Sequence, residues 1–214
     1  MTEPADTELA SLLCSRLCHD LLSPVGALTN GLELLADEKD PEMRQRCFEL
    51  LEQSAKASAD KLRFFRLAFG AAGGFGDMVP VDEPRALVDA LASANQRITV
   101  NWALAGDSLP KAAVKVLLNL AHIAMDALVR GGALDIAAEF REGASEIVVR
   151  ASGQRVAFDP AVGAALEGSI PAADLSSRTA PATMLQRIVT AAGGGIQLHM
   201  TPETLVMGAV LPLA

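Results

Sequence analysis

Cys18, Leu21, Val25, Leu28, Leu32 and Leu35 alternate steps of three and four along the chain, the spacing of a helix with one apolar seam. The helical pattern runs from about Thr7 to Asp37, and Asp37-Glu38-Lys39-Asp40-Pro41 interrupts it with turn and cap chemistry. A second helical run, from about Pro41 to Phe69, carries Leu51, Ala55, Leu62, Phe65 and Phe69. Two long helices on so short a connection fold back as an antiparallel hairpin. Such a hairpin has apolar surface on more than one side, so the expected state is a homodimer whose hairpins form a four-helix bundle.

Gly70-Ala71-Ala72-Gly73-Gly74-Phe75-Gly76 ends the second helix, and composition changes beyond it. The chain therefore divides into a helical hairpin over 1–70, a glycine-rich linker over 71–79 and a second domain over 80–214. In the second domain the pattern predicts a helix from Glu83 to Gln96, a short strand from Ile98 to Ala103 and a long apolar helix from Pro110 to Arg130. Leu134 to Arg141 and Glu146 to Ala151 read as a β-hairpin across Glu142-Gly143-Ala144-Ser145. A loop-rich region follows, then a helix from about Ala180 to Ala192 and closing strands from Gly195 to Met200 and Thr204 to Pro212. The fold class is α+β, an N-terminal antiparallel helical hairpin plus a C-terminal α/β sandwich with a mostly antiparallel sheet.

Composition narrows the partners. The net charge of −8 opposes the clustered Lys and Arg that a grip on nucleic acid needs. No signal pattern opens the chain and no apolar run approaches the ~20 residues of a membrane span, so the expected location is the cytoplasm, with neither nucleic acid nor membrane as partner. Cys14, Cys18 and Cys47 are odd in number and sit at helical positions, which favours small buried apolar residues over a disulfide or a metal site.

Inside the first helical run lies His19-Asp20-Leu21-Leu22-Ser23-Pro24. His19 falls beside the seam, where one ring nitrogen stays wet, and Asp20 is placed to hold or deprotonate the ring. That is the chemistry of a phosphate-accepting histidine. Ser23 faces the same side one turn on. Pro24 removes an intrahelical hydrogen bond, and a proline costs ~3 kcal/mol in an ordinary helix interior; a bend there frees a backbone carbonyl. With the turn centred near Lys39, His19 is level with roughly Ala59, so Arg16, Lys56, Lys61 and Arg63 flank it and offset phosphate charge. Arg150 and Arg155 are candidates for gripping a partner. His122 and His199 read as structural, with no acid placed beside either, and Gly193 to Gly195 reads as a helix C-terminus and turn.

His19 to Pro24 resembles the phosphoacceptor box of sensor histidine kinases. Pro110 to Leu128 resembles the kinase helix that carries the asparagine box. Arg187-Ile188-Val189 with Gly193-Gly194-Gly195-Ile196, and the terminal Gly208-Ala209-Val210-Leu211-Pro212, resemble the end of the kinase ATP-binding domain. The departures decide the reading. Asn119 matches an early asparagine, but Ile123 stands where a kinase holds Mg²⁺, and an aliphatic side chain cannot ligate a hard cation. Ala151, Gly153 and Arg155 stand where an adenine-reading aspartate and two glycines belong. Ser177, Thr179 and Pro181 replace glycines that cradle a triphosphate.

The profile is similar to the alphaproteobacterial histidine phosphotransferases, and the two-part architecture is shared by the sporulation phosphotransferase of Gram-positive bacteria. The run from Leu17-Cys18-His19-Asp20 through Gly31-Leu32-Glu33-Leu34-Leu35, then Arg66-Leu67-Ala68-Phe69-Gly70-Ala71, carries that resemblance. It implies that His19, assisted by Asp20, accepts a phosphoryl group from the receiver aspartate of a hybrid kinase and passes it to the receiver of a response regulator. Arg16, Ser23, Lys56 and Arg63 are the implied phosphate or receiver contacts. The implied partners are a second copy of the chain, a hybrid-kinase receiver of the CckA kind and regulators of the CtrA and CpdR kinds. No cofactor or metal of its own and no ATP are implied, since the partner receiver brings its own Mg²⁺. The alternatives are a non-catalytic dimeric adaptor that scaffolds receivers, a pseudokinase scaffold, or a weak ATP-dependent kinase.

Overall fold

The computed structural model describes residues 6–70, 76–94 and 97–212. Residues 71–75 of the expected linker, and the expected helix end at Asn95 and Gln96, lie outside the described residues. Helices α1 (Asp6–Asp37) and α2 (Pro41–Phe69) form the antiparallel hairpin. The Asp40 carboxylate accepts from the Glu42 and Met43 amides, and Pro41 fills the first turn of α2. Arg44 ties the connection down by donating to the Leu35 and Glu38 carbonyls.

The seam divides in a way its spacing did not predict. Pro24 and Gly31 are the buried positions of mid-α1, and a Cβ on Gly31 would stand 3.0 Å from the Leu51 side chain of α2. Val25 and Leu32 lie outward, 47% and 59% exposed, while Leu21, Leu28 and Leu35 are half-buried. Cys14 and Cys18 are exposed as well, contrary to expectation, and only Cys47 among the cysteines is buried.

β1 (Met78–Pro80) begins inside the expected linker, and after it come α3 (Asp82–Ser93), β2 (Ile98–Ala105), β3 (Ser108–Pro110), α4 (Lys111–Ala127), β4 (Gly132–Arg141) and β5 (Ala144–Ser152). They are followed by α5 (Pro160–Leu166), a single 3-10 turn, α6 (Ala180–Ala191), β6 (Gly195–Thr201) and β7 (Thr204–Pro212). The main sheet has the order β2-β4-β5-β7-β6, parallel between β2 and β4 and antiparallel elsewhere, while β1 and β3 pair as a separate ribbon. The predicted α/β layering is present. Sequence reading missed β1, β3 and α5, which are too short to display a period.

Alternation sets the inner face of the sheet: Ile147, Val149 and Ala151 of β5 and Leu205, Met207, Ala209 and Leu211 of β7 are buried. Apolar α4 is the keystone, with Val114, Leu117, Leu118, Leu120, Ala121 and Ala124 all at 0% or nearly so in exposure. Phe64, Phe65, Leu67 and Ala68 at the end of α2 join the same cluster. The hairpin is thus packed onto the C-terminal body through the last two turns of α2, with Leu17 and Leu21 of α1 against the same cluster.

Two turns show why particular residues stand where they do. The β4–β5 connection is the two-residue Glu142-Gly143 rather than the four residues expected, with φ of 54° and 78°, the type I′ geometry that matches strand twist. At the end of α6, Gly193 in the left-handed region and the bonds Gly193 to Thr190 and Gly194 to Val189 make the expected helix-ending motif.

Candidate functional site

His19 projects from mid-α1 with its side chain 82% exposed, and Nδ1 lies 3.1 Å from Asp20 Oδ1. Asp20 itself is enclosed, and its other oxygen accepts from Arg16 Nε at 2.7 Å, one helical turn back. Burial pushes the Asp20 carboxyl up, but hydrogen bonds from His19 and Arg16 and the Arg16 charge outweigh it, leaving the group below its ordinary value. An ionised carboxylate only accepts. The contact therefore calls for a proton on His19 Nδ1, which in the neutral ring leaves the lone pair on Nε2.

The backbone of Asp20 is held as well. In a regular helix the amide of residue 24 donates to the carbonyl of residue 20, and Pro24 has no amide hydrogen to give. α1 nevertheless continues through Pro24, and Lys61 of α2 donates to the Asp20 carbonyl at 2.7 Å. Lys61 is brought to the site as its level on α2 predicted, with a backbone oxygen as its partner.

The other candidates lie apart from this cluster. Ser23 and Lys56 line a groove of about 520 Å³ between the hairpin and α3, together with Pro24, Asp60 and Leu91. Lys56 and Arg63 bracket one carboxylate, Asp60, at 3.2 and 3.9 Å. Arg150 is paired with Asp135 at 2.8 Å on the outer face of the sheet. There a hydrogen bond from Asn101, and then the Arg150 charge, hold the Asp135 carboxyl below its usual range despite partial burial. Arg155 is exposed after β5.

The positions that resemble nucleotide boxes are occupied by packing. Asn119 is 1% exposed and donates to the Lys115 carbonyl at 2.8 Å and to the Ala68 carbonyl at 3.2 Å, pinning α4 to the end of α2. Its Oδ1 is without a protein partner. Asn119 and Ile123 line a cavity of only about 50 Å³ together with Arg16, His122, Asp126 and Phe158. Gly153 serves backbone packing, since a Cβ there would stand 2.7 Å from the Gly131 carbonyl.

Sequence reasoning missed two neighbours. Arg16 reaches across to α4, where Nη2 lies 3.0 Å from Asp126 Oδ2. Burial disfavours the Arg16 charge, but Asp126 and Asp20 outweigh it and raise its pKa. His122 does have an acid near it, contrary to expectation: its ring packs on Phe64 and Phe65, burial pushes it toward the neutral form, and the Asp126 charge opposes that. The i,i+4 spacing of His122 and Asp126 on one helix was a local signal for that pair, whereas nothing local joins Asp126 to Arg16, 110 positions away. Among the described residues, no cluster of three or more His, Cys, Asp or Glu is placed to hold a metal, and no helix is long and apolar enough to cross a membrane.

Residues 81–204, more than half of the chain, match the family described as histidine phosphotransferase C-terminal domain. This chain belongs to the histidine phosphotransferase family. Protein phosphotransferase ChpT of Brucella abortus (strain 2308) is 32% identical over 202 residues, spanning 94% of this chain and 95% of that one. A solved structure described as a bacterial phosphotransferase at 1.7 Å superposes with a TM-score of 0.84 at 30% identity, covering 97% of this chain and 98% of that one. Membership of the histidine phosphotransferase family makes the chemistry phosphoryl transfer within a phosphorelay, with kinases and response regulators as the classes of partner.

Proposed function

We propose that His19 is the phosphoacceptor, taking a phosphoryl group from the aspartyl phosphate of a hybrid-kinase receiver and yielding it to the receiver aspartate of a response regulator. The observation that carries this reading is an exposed imidazole whose Nδ1 faces an enclosed, ionised carboxylate. Nε2 attacks phosphorus in line, and the bond from phosphorus to the aspartyl oxygen breaks with its electron pair returning to that carboxylate. The positive charge on the phosphorylated ring is balanced by Asp20 through Nδ1–H. In the second transfer a receiver carboxylate attacks the same phosphorus and the N–P bond breaks toward Nε2.

The receiver's own Mg²⁺ neutralises the transferring oxygens, so this chain supplies position and nucleophilicity. ATP is not a substrate in this reading. The cavity faced by Asn119 and Ile123, about 50 Å³, is far below the ~300 Å³ at which small-molecule pockets begin. The working state is a homodimer. In this reading the donor is a receiver of the CckA kind and the acceptors are receivers of the CtrA and CpdR kinds, and the groove lined by Ser23 and Lys56 is the surface offered to them.

The deciding experiment mixes the purified chain with a receiver phosphorylated on its aspartate and follows the label, with His19→Ala and ATP alone as parallel lanes. Acid-labile transfer that requires His19 supports the relay. Labelling by ATP alone makes the chain a kinase, and receiver binding without transfer makes it an adaptor.

A further inference from the structure

Asp126 belongs to α4, the central helix of the C-terminal body, yet a continuous line of polar contacts joins it to the phosphoacceptor. Its Oδ2 lies 3.0 Å from Arg16 Nη2, Arg16 Nε lies 2.7 Å from Asp20 Oδ2, and Asp20 Oδ1 lies 3.1 Å from His19 Nδ1. We propose that Asp126 is a positioning residue for phosphotransfer, fixing through Arg16 the carboxylate that orients the His19 ring. The proposal rests on the role assigned to His19 above.

The His19 ring is almost wholly in solvent, and the second torsion of a histidine is broad. Packing does not set its angle, so the Asp20 carboxylate does. That carboxylate is held at both oxygens, by His19 at one and Arg16 at the other. Arg16 is a long side chain with many rotamers, and a single carboxylate on its own helix leaves the guanidinium free to pivot. Asp126, contributed by a different element, supplies the second fixed point. The Asp126 side chain is 58% exposed, and exposed ion pairs add little to folding. Orientation is what this pair provides.

The same contact gives α4 a use. Asn119 and Ile123 on this helix are occupied with packing, while Asp126 at its C-terminal end reports the seating of the body to α1. Asp126 touches neither phosphate nor receiver in this scheme, and it acts only through Arg16 and Asp20.

The test uses the full-length chain with Asp126→Asn, which keeps shape and removes charge, and Asp126→Glu, which restores charge. Transfer from the phosphorylated receiver is measured over a range of receiver concentrations. In parallel, nitrogen NMR of the histidine-labelled chain reads the tautomer of the His19 ring, assigned by His19→Ala among the three histidines. Asp126→Asn is expected to lower kcat about tenfold with KM unchanged and to turn a single Nδ1–H tautomer into a mixture, with Asp126→Glu recovering both. Wild-type kcat and tautomer in Asp126→Asn overturn the proposal. So does a raised KM at unchanged kcat, which makes Asp126 a receiver contact, and so does a slowed reaction with the tautomer intact. A wild-type chain that takes no phosphate sinks the assignment of His19 as phosphoacceptor, and the tautomer comparison still decides whether Asp126 sets the ring.

Discussion

Lys61 donates to the backbone carbonyl of Asp20 at 2.7 Å, the oxygen that Pro24 deprives of its helical donor. A proline that costs α1 a hydrogen bond is thus matched by a cation from α2. Removing the ammonium while keeping its stem, as in Lys61→Met, is expected to destabilise the fold by about 1.5–3 kcal/mol, the range for a lost charge-assisted bond. In a Pro24→Ala background the helix supplies its own donor, so the same substitution costs less. A double-mutant cycle by chemical denaturation should give a coupling of at least about 0.5 kcal/mol. Additive effects would dissociate Lys61 from Pro24.

Acid should destabilise the chain in two stages. His122 is shifted toward its neutral form in the fold by burial, so the unfolded chain takes the proton first. Stability is then full above about pH 6.5 and falls as pH drops from there toward the lower folded value. Asp20 has a folded pKa below its unfolded one, so its contribution is present above about pH 4 and is lost as pH falls through the folded value. Denaturation midpoints across pH 7 to 3 should show both steps, with His122→Gln removing the upper and Asp20→Asn reducing the lower, to which Asp135 also contributes.

Apolar side chains stand outward on both helices of the hairpin. Leu22, Val25 and Leu32 are 68%, 47% and 59% exposed, and Phe48 and Leu62 of α2 are 50% and 55% exposed. That much apolar surface on one hairpin marks an interaction face. Light scattering should find a dimer, and Leu32→Glu should shift it toward monomer without loss of helix content. A monomeric wild-type chain would remove the four-helix bundle from the proposed function.

Glu142 carries φ of 54° at a turn position that suits asparagine. Its ion pair with Arg141 is fully solvated and supports the turn little. Glu142→Asn should therefore stabilise by about 0.5–1 kcal/mol, raising Tm by about 1–4 °C. An unchanged or lower Tm would show that the turn does not strain glutamate.

Much of this protein was legible because its signals are local. The hairpin announces itself through a repeat, an Asp-Pro cap and a glycine-rich stop. Helix α4 and the pair β4 and β5 follow from period and turn residues, and His19, Asp20 and Pro24 lie within one short run. What was missed is short or distant. Strands β1 and β3 span three residues each, too few for periodicity to register. Cys14 and Cys18 looked buried because helical spacing fixes only an angle around the axis.

The sequence by itself determined the hairpin, the longer helices and strands of the sheet domain and the chemical character of His19 beside Asp20, since each depends on residues within a few turns of one another. Only the tertiary structure decided that Arg16 meets Asp126, that Lys61 meets the Asp20 carbonyl and that Asn119 is buried between helices. Those contacts depend on the axial level and rotation at which α1, α2 and α4 pack. The shared core of Phe64, Phe65, Leu117 and Leu120 sets both, through the close packing of all its members at once.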